Sequence, residues 1–530
     1  MKRILPLLLA ATLLPSAAPA PASRADAWWT DIANIASDDT QGRQTGSPGY
    51  LKAADYVMKR FKEIGLAPAG ENGKFTQSVA FEQQVIDQAG SSAVLIGPDG
   101  KETPFAMGDN FVISAGGARR APLTDAPMVF LGYGLSLPAF GHDDFAGVDL
   151  KGKVAVVFAG GPADIPGPVK AANRNARTKL LAKLGAVGLI SLVTPKQMEI
   201  LWFRSTLLAK QPGMYLADDK LRETPTGWLG ASVDPWENSR LFAGSGKRYA
   251  EIADLADSNG ALPTFPLAQR IRVKPAARVS PVTSPNLVAR LDGSDPKLKG
   301  EYVVISAHLD HLGVGAAING DTIYNGAMDD ASGVASVLDI AAQLKKGSRP
   351  KRTILFVIVT AEEKGLLGSH YFANKPTVPK ANIVADLNFD MPLPLWPLKT
   401  VLVQGEGEST LGDVARAAAA KQGLALTPDP LPDRNSFVRT DQFSFVKAGV
   451  PALSFKFGFQ KDTPEFKIEH DWRANRYHSP SDDLLQPGVL KAEAVKLNDY
   501  VANVAAMTAN APARPTWLPT SVFNPANAAK

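Results

Sequence analysis

The chain has 530 residues, of which 45% are hydrophobic and 21% charged, with a formal net charge of +5 and no cysteine. That length exceeds one simple core and points to two or more structural units. The charge is mild and no basic tract interleaves with aromatics, which sets nucleic acid aside as a partner. Without cysteine there are no thiolate metal sites, disulfides or cysteine nucleophiles, so any metal must sit on histidine and carboxylate.

Lys2 and Arg3 precede an apolar run, Ile4 to Leu14, and then a small-residue stretch, Ser16 to Ala22. This is the three-part pattern of a secretory signal peptide, in which cleavage after Ala22 fits an Ala-x-Ala site, with Ala20 and Ala27 as the alternatives. The apolar run is shorter than the ~20 residues of a membrane span. The expectation is an exported protein, periplasmic or secreted, with no stable membrane insertion once the signal is removed.

From Ala27 to Gly65 the pattern is helical: Leu51, Ala54, Met58, Phe61 and Ile64 recur at spacings of three and four, and Gly65 stops the run. Phe75 to about Gly117 alternates in short strand-like segments separated by Gly, Pro and Asp turns. Between residues 125 and 275 the texture changes, with short buried strands such as Met128–Gly134 and Ala186–Leu192 around a helix at Arg177–Leu184. This segment reads as a smaller unit inserted into the larger one, with Pro281–Pro285 as the return linker. The divisions are a signal peptide at 1–22, a larger domain at 23–124 and 276–512, the insertion at 125–275 and a tail at 513–530.

Chemistry concentrates after residue 300. Tyr302–His308, Thr353–Val359 and Ile383–Phe389 are Val- and Ile-rich runs of the kind found in a covered parallel or mixed sheet. In such sheets ligands bind beyond the carboxyl ends of the strands, where His308, Asp310, Glu362, Glu363 and Asp390 fall. Asp329 precedes a long amphipathic helix; it serves either as its N-cap or as a carboxylate able to bridge two metals. Adjacent Glu362 and Glu363 point differently, so one can bind metal while the other acts as base. Asp390 ends an apolar run, where an unpaired carboxylate would be costly. His478 follows in a Ser- and Pro-rich loop. Ligands of nitrogen and oxygen alone suit Zn²⁺, with Co²⁺ or Mn²⁺ as substitutes.

The signatures His308-Leu-Asp310, Ala327-Met-Asp-Asp-Ala-Ser-Gly333, Ala361-Glu-Glu-Lys-Gly-Leu-Leu-Gly-Ser369, Asn388-Phe-Asp-Met391 and Tyr477-His478 resemble the zinc aminopeptidase family. That family also contains glutamate carboxypeptidase and the transferrin receptor ectodomain. Leu131–Gly134 and Asp144–Val154 resemble the protease-associated domain often inserted in such enzymes. The resemblance implies a three-layer α/β/α exopeptidase domain with a mixed central sheet, plus a smaller β-rich insertion. It further implies two zinc ions per chain bridged by Asp329, one held also by His308 and Asp390, the other by Glu363 and His478. Glu362 would be the general base, Asp310 the partner that orients His308, and Tyr477 a stabiliser of the oxyanion. Met328 departs from the Asn or Asp usual before the bridging acid. The implied function is hydrolysis of peptides by an aminopeptidase. Carboxypeptidase or dipeptidase action, a silent receptor and a glutaminyl-cyclase-like acyltransferase are the alternatives; the oligomeric state is left open.

Overall fold

The computed structural model describes residues 23–527 apart from 119, 120, 199 and 435. The expected signal peptide, residues 1–22, lies outside the described residues. Among these, no helix is long and apolar enough to cross a membrane.

A ten-stranded mixed sheet forms the larger unit. Its order runs Gly213–Leu216, Thr76–Ile86, Ala277–Leu291, Thr353–Val359, Tyr302–His308, Ile383–Phe389, Ala452–Phe457, Thr400–Gln404 and Ala425–Thr427, with Ala67–Pro68 added beside Ala277–Leu291. The four central strands from Thr353–Val359 to Ala452–Phe457 pair parallel. The whole of Thr353–Val359 and Ile383–Phe389 is buried, which is why these strands read as unbroken apolar runs. Val303, Ile305 and Ala307 face a helical layer made by Arg24–Ile35, Pro48–Ile64, Ser332–Lys346 and Lys491–Asn510. Val304 and Val357 face the opposite layer, which holds Leu367–Asn374 and Gln442–Lys447. The expected three-layer α/β/α architecture with a mixed sheet is the one observed.

Helix Pro48–Ile64 ends at Gly65, whose φ of +80° makes the left-handed cap that its position suggested. Its buried face is carried by Tyr50, Ala53, Ala54, Val57 and Phe61, whereas Leu51 is exposed. The apolar stripe is thus rotated from the expected one. Tyr50 takes the inner place because its hydroxyl donates to the Pro285 carbonyl.

A second sheet of eight strands orders Glu102–Pro104, Ser92–Ile96, Thr264–Lys274, Thr124–Leu131, Val154–Phe158, Gly188–Leu192, Leu229–Val233 and Phe111–Ser114. It has its own core, with Phe130, Phe158, Phe242 and Ile271 among its members. Three expectations are corrected here. The smaller unit does not begin at residue 125, because Ser92–Ile96, Glu102–Pro104 and Phe111–Ser114 pair into its sheet. Gly213–Leu216, inside the expected insertion, instead pairs with Thr76–Ile86 in the larger sheet. Pro281 to Pro285 is no linker but the middle of the long strand Ala277–Leu291. Those prolines are tolerated because Thr76–Ile86 is their only sheet neighbour, pairing with Thr353–Val359 starting at Leu287.

The tail packs on the larger unit rather than trailing from it. Trp517 donates its ring N–H to Gly449, and Phe523 lies against Phe437 and Phe443.

Candidate metal centre

The carboxyl ends of Tyr302–His308, Thr353–Val359 and Ile383–Phe389 lie side by side, so His308, Glu362 with Glu363, and Asp390 emerge at one sheet edge. Asp329 comes from the turn Ala327–Ala331, where its own backbone leaves helical geometry (φ −111°, ψ 89°), ahead of helix Ser332–Lys346. His478 comes from the loop after helix Pro464–Asn475. All of these side chains are brought together.

Asp329 sits between two imidazoles. Its Oδ1 lies 3.3 Å from His308 Nε2, and its Oδ2 lies 3.3 Å from His478 Nε2. On the first side, His308, Asp329 and Asp390 offer ligand atoms within 4.8 Å of one another. On the other side, Glu363 Oε2 is 3.1 Å from His478 Nε2. Glu362 Oε2 stands 4.0 Å from His308 Nε2. Burial pushes the Glu362 carboxyl well above its ordinary range against the pull of His308. Burial also opposes ionisation of Asp329, but the imidazoles of His308 and His478, one at each of its oxygens, hold it well below the usual carboxylate range. The two carboxyls are thereby shifted in opposite directions.

His311 joins this group, and the sequence reading left it without a role. It is fully buried, its Nδ1 lies 2.7 Å from Glu363 Oε1, and it forms a second cluster of potential ligands with Asp329 and Glu363. Its only sequence signal is its place directly after Asp310 at the end of a buried strand. Buried polar atoms normally find a partner. Yet His308 Nε2, both ring nitrogens of His311 and Glu363 Oε1 are buried without a well-directed hydrogen bond, although His311 Nδ1 and Glu363 Oε1 face each other. Orphaned nitrogen and oxygen atoms converging on shared carboxylates fit a divalent cation such as zinc.

Backbone contacts hold these ligands. Asp482 accepts from the Met328 and Asp329 N–H groups through its two oxygens at 2.9 and 3.0 Å. The first-turn donor that an N-capping Asp329 would satisfy is met by Asp330, the residue before the N-cap Ala331, whose Oδ1 accepts from Gly333 N at 3.0 Å and Met391 N at 3.1 Å. Asp329 is thereby released for ligation. The part expected of Asp310 is also corrected. His308 Nδ1 meets the backbone carbonyl of Asp310 at 3.0 Å, whereas the carboxylate accepts from Glu362 N and Thr45 Oγ1, each at 3.0 Å. A residue two positions on reaches the ring with its carbonyl more readily than with its side chain. Asp310 thus orients Glu362.

Arg43, also unassigned from sequence, lies fully buried beneath the centre. It donates to the carbonyls of Leu309, Asn325, Gly326 and Ile35, joining the first helix to both loops that carry ligands. Burial lowers its pKa to about 10, so it remains cationic at neutral pH under a cluster of acids. Tyr477 stacks on His478 with ring centroids 3.8 Å apart. The backbone at Ala361, Met391 and His478 has positive φ of 56°, 52° and 53°. Such sparsely populated conformations at non-glycine residues cluster where surroundings over-determine them, here beside or at the ligands. A cleft of about 930 Å³ opens onto Glu362, Glu363 and His478 and is walled on its far side by the second sheet at Val112–Ser114 and Gly230–Ser232.

Comparison with known proteins agrees with this geometry. Residues 286–504 match peptidase family M28. A probable leucine aminopeptidase 2 of Aspergillus fumigatus is 32% identical over 178 residues, which is 32% of this chain and 32% of that protein. Carboxypeptidase Q of Rattus norvegicus is 32% identical over 191 residues, 35% of this chain and 36% of that one. The chain therefore aligns with about a third of the length of these relatives. The solved aminopeptidase from Aneurinibacillus sp. strain AM-1 shares the fold over 92% of this chain and 95% of its own, with a TM-score of 0.52 and 20% identity. Over residues 286–504, then, the chain is similar to the peptidase family M28.

Proposed function

We propose that this chain is an exported zinc exopeptidase, an aminopeptidase that removes residues from the free amino end of peptides. The observation that carries the reading is Asp329, which turns one oxygen to His308 and the other to His478 while Glu362 stands beside them. Two ions fit this arrangement, one on His308, Asp329 and Asp390, the other on Asp329, Glu363 and His478 with His311 alongside. When bound, zinc supplies a Lewis acid for the scissile carbonyl and makes water at the site more acidic. Glu362, its backbone tethered to Asp310, takes the proton of the attacking water on a carboxylate oxygen and delivers it to the leaving amine nitrogen. Tyr477, fixed by stacking on His478, presents its hydroxyl to the carbonyl oxygen as that oxygen gains charge. The small unit, which resembles a protease-associated domain, covers the cleft and restricts it to chain ends. Export rests on the Lys2 to Ala22 pattern.

A carboxypeptidase is the second reading, favoured by the named relative and by the cationic Arg439 that lines the cleft. Mass spectrometry separates the two. Zinc-loaded protein is incubated with peptides carrying free or acetylated amino termini, with Glu362→Gln as control. Stepwise loss from the amino end of the free set alone supports the aminopeptidase. Trimming from the carboxyl end in both sets moves the assignment, and no cleavage of either set ends the peptidase reading.

A further inference from the structure

Lys364 follows directly on Glu363 in the turn between strand Thr353–Val359 and helix Leu367–Asn374. The turn is pinned at its start. The Gly365 and Leu366 N–H groups donate to the Glu362 carbonyl at 2.8 and 2.9 Å, and Asp310 accepts from the Glu362 N–H at 3.0 Å. Consecutive Cα atoms lie about 3.8 Å apart, so Lys364 is held one residue from a carboxylate of the metal site. It is half-buried and lines the cleft of about 930 Å³ together with Leu312, Glu362 and Glu363. Beside it Gly365 stands clear, with no atom outside its chain neighbours within 4 Å of where a Cβ would lie. An ammonium on a flexible four-carbon stem thus stands at open space next to the metal centre.

That ammonium has no counter-charge of its own. Among the described residues it makes no ion pair and no hydrogen bond. The charges that act on it are those of Glu363 and Asp310, and both carboxylates are committed elsewhere. Glu363 turns Oε1 to His311 at 2.7 Å and Oε2 to His478 at 3.1 Å. Asp310 gives Oδ1 to the Glu362 N–H and Oδ2 to Thr45, each at 3.0 Å. Two other cations of this cleft have acids to themselves: Arg222 pairs with Glu82 and, at 3.2 Å, with Asp219, and Lys447 pairs with Glu223 at 2.8 Å. A partly buried charge without a partner is costly, and an opposite charge brought into the cleft offsets that cost.

Resting on the peptidase reading above, we infer that Lys364 is a specificity-determining residue, whose ammonium selects peptides with a carboxylate beside the scissile bond and disfavours those with a cation there. An extended chain covers roughly 3.5 Å per residue, so carboxylates of two kinds come within reach. One is the acidic side chain of a residue flanking that bond; the other is the carboxyl terminus of a dipeptide. Both present the same anion to the ammonium. Attraction of one charge and repulsion of the other act together, which separates acidic from basic substrates more widely than either alone. Lys364 takes no part in the proton transfers, which stay with Glu362.

The test compares kcat/KM within matched pairs of peptides: Asp against Asn before the scissile bond, Asp against Asn after it, and a dipeptide as free acid against its amide. Zinc-loaded wild type should favour the carboxylate form by about tenfold in at least one pair, the size of one charge-assisted hydrogen bond. In Lys364→Met that ratio should fall to about one or two, and in Lys364→Arg it should persist. Lys364→Glu should turn it round, so that a Lys peptide is cut faster than its Asp counterpart. Each ratio is taken within one protein preparation, so differences in folded or zinc-loaded fraction cancel. The pair that carries the ratio names the source, a side chain on one side of the bond or the other, or the carboxyl terminus. Cleavage with every wild-type ratio near one, or with a ratio unchanged in Lys364→Met, overturns the proposal and leaves the peptidase reading standing. Should no peptide be cut, displacement of a fluorescent tetrapeptide by each unlabelled peptide decides, read on Glu362→Gln protein with and without Lys364→Met. Tighter binding of a carboxylate form that depends on Lys364 keeps the selectivity and rejects the peptidase. Equal binding of the paired forms, or none, overturns both.

Discussion

Replacing Arg43 by methionine removes a cation and its donors from under the metal centre while keeping most of the side-chain volume. Four buried carbonyls, of Leu309, Asn325, Gly326 and Ile35, then lose an N–H donor. A hydrogen bond from a charged donor contributes about 1.5–3 kcal/mol, and such contributions are not additive, so about 4 kcal/mol is the expected loss. The loss should be greatest without metal. In apo protein Arg43 is a principal counter-charge to Asp310, Asp329, Asp330 and Asp482, all of which act on it; in loaded protein the ions share that task. Scanning calorimetry of apo and zinc-loaded forms, wild type against Arg43→Met, reads this directly. At about 2 °C per kcal/mol for a large domain, the apo transition of the peptidase domain should fall by about 8 °C. The loaded transition should fall by less, and Arg43→Lys should lie between. An apo shift of under about 2 °C, or an equal shift in both forms, would refute the reasoning from buried carbonyls and counter-charge.

Other expectations concern the centre and the sheet. Glu362→Gln should lower kcat by about a hundredfold to ten-thousandfold, the usual range for a lost general base, with zinc content by atomic absorption unchanged. His311→Gln should weaken zinc by about tenfold to a hundredfold, as loss of a neighbouring ligand partner does, measured by competition with a chromophoric chelator. Chelation should abolish activity and lower the melting temperature, because uncompensated Asp329, Glu363 and Asp390 then repel; restoring zinc should reverse both. Asp386, buried beneath Ser306, has its pKa raised well above the ordinary value by burial. A raised folded-state pKa means stability present at low pH is lost as pH rises above the unfolded value. Asp386→Asn should therefore gain on wild type in urea melts between about pH 4 and pH 8, and a constant difference across that range would refute the assignment.

The parts legible in the sequence are those decided locally. A buried strand ending in acids or histidine is recognisable because its apolar run and its last polar residue are contiguous, and Tyr302–His308 and Thr353–Val359 were found that way. What escaped depends on pairing across distance. Ser92–Ile96 alternates as it would in either sheet, and nothing within it states which partner it meets. Arg43 lies in a Gly-rich loop where a buried cation leaves no periodic trace. Asp482 looked like one more polar residue of a turn until the Met328 and Asp329 N–H groups, more than 150 positions earlier, came to rest on it. Asp310 does meet the ring of His308, but through its main-chain carbonyl; at that range a sequence does not tell main-chain and side-chain oxygens apart.

The long antiparallel pair Thr76–Ile86 and Ala277–Leu291 has a mechanical consequence. The chain passes from one sheet to the other along these two strands, hydrogen-bonded to each other over their length, and Gly213–Leu216 returns from the small unit to pair on their far side. Swinging the small unit away would mean shearing a backbone ladder instead of turning about a loose tether. The gap above Glu362 and His478 therefore behaves as a gauge of set width, so that ordering it adds little to the entropy lost on binding. Selection by such a gauge acts on the thickness of what is offered: a single extended strand passes, and a folded surface is turned away before any contact with Glu362 is made.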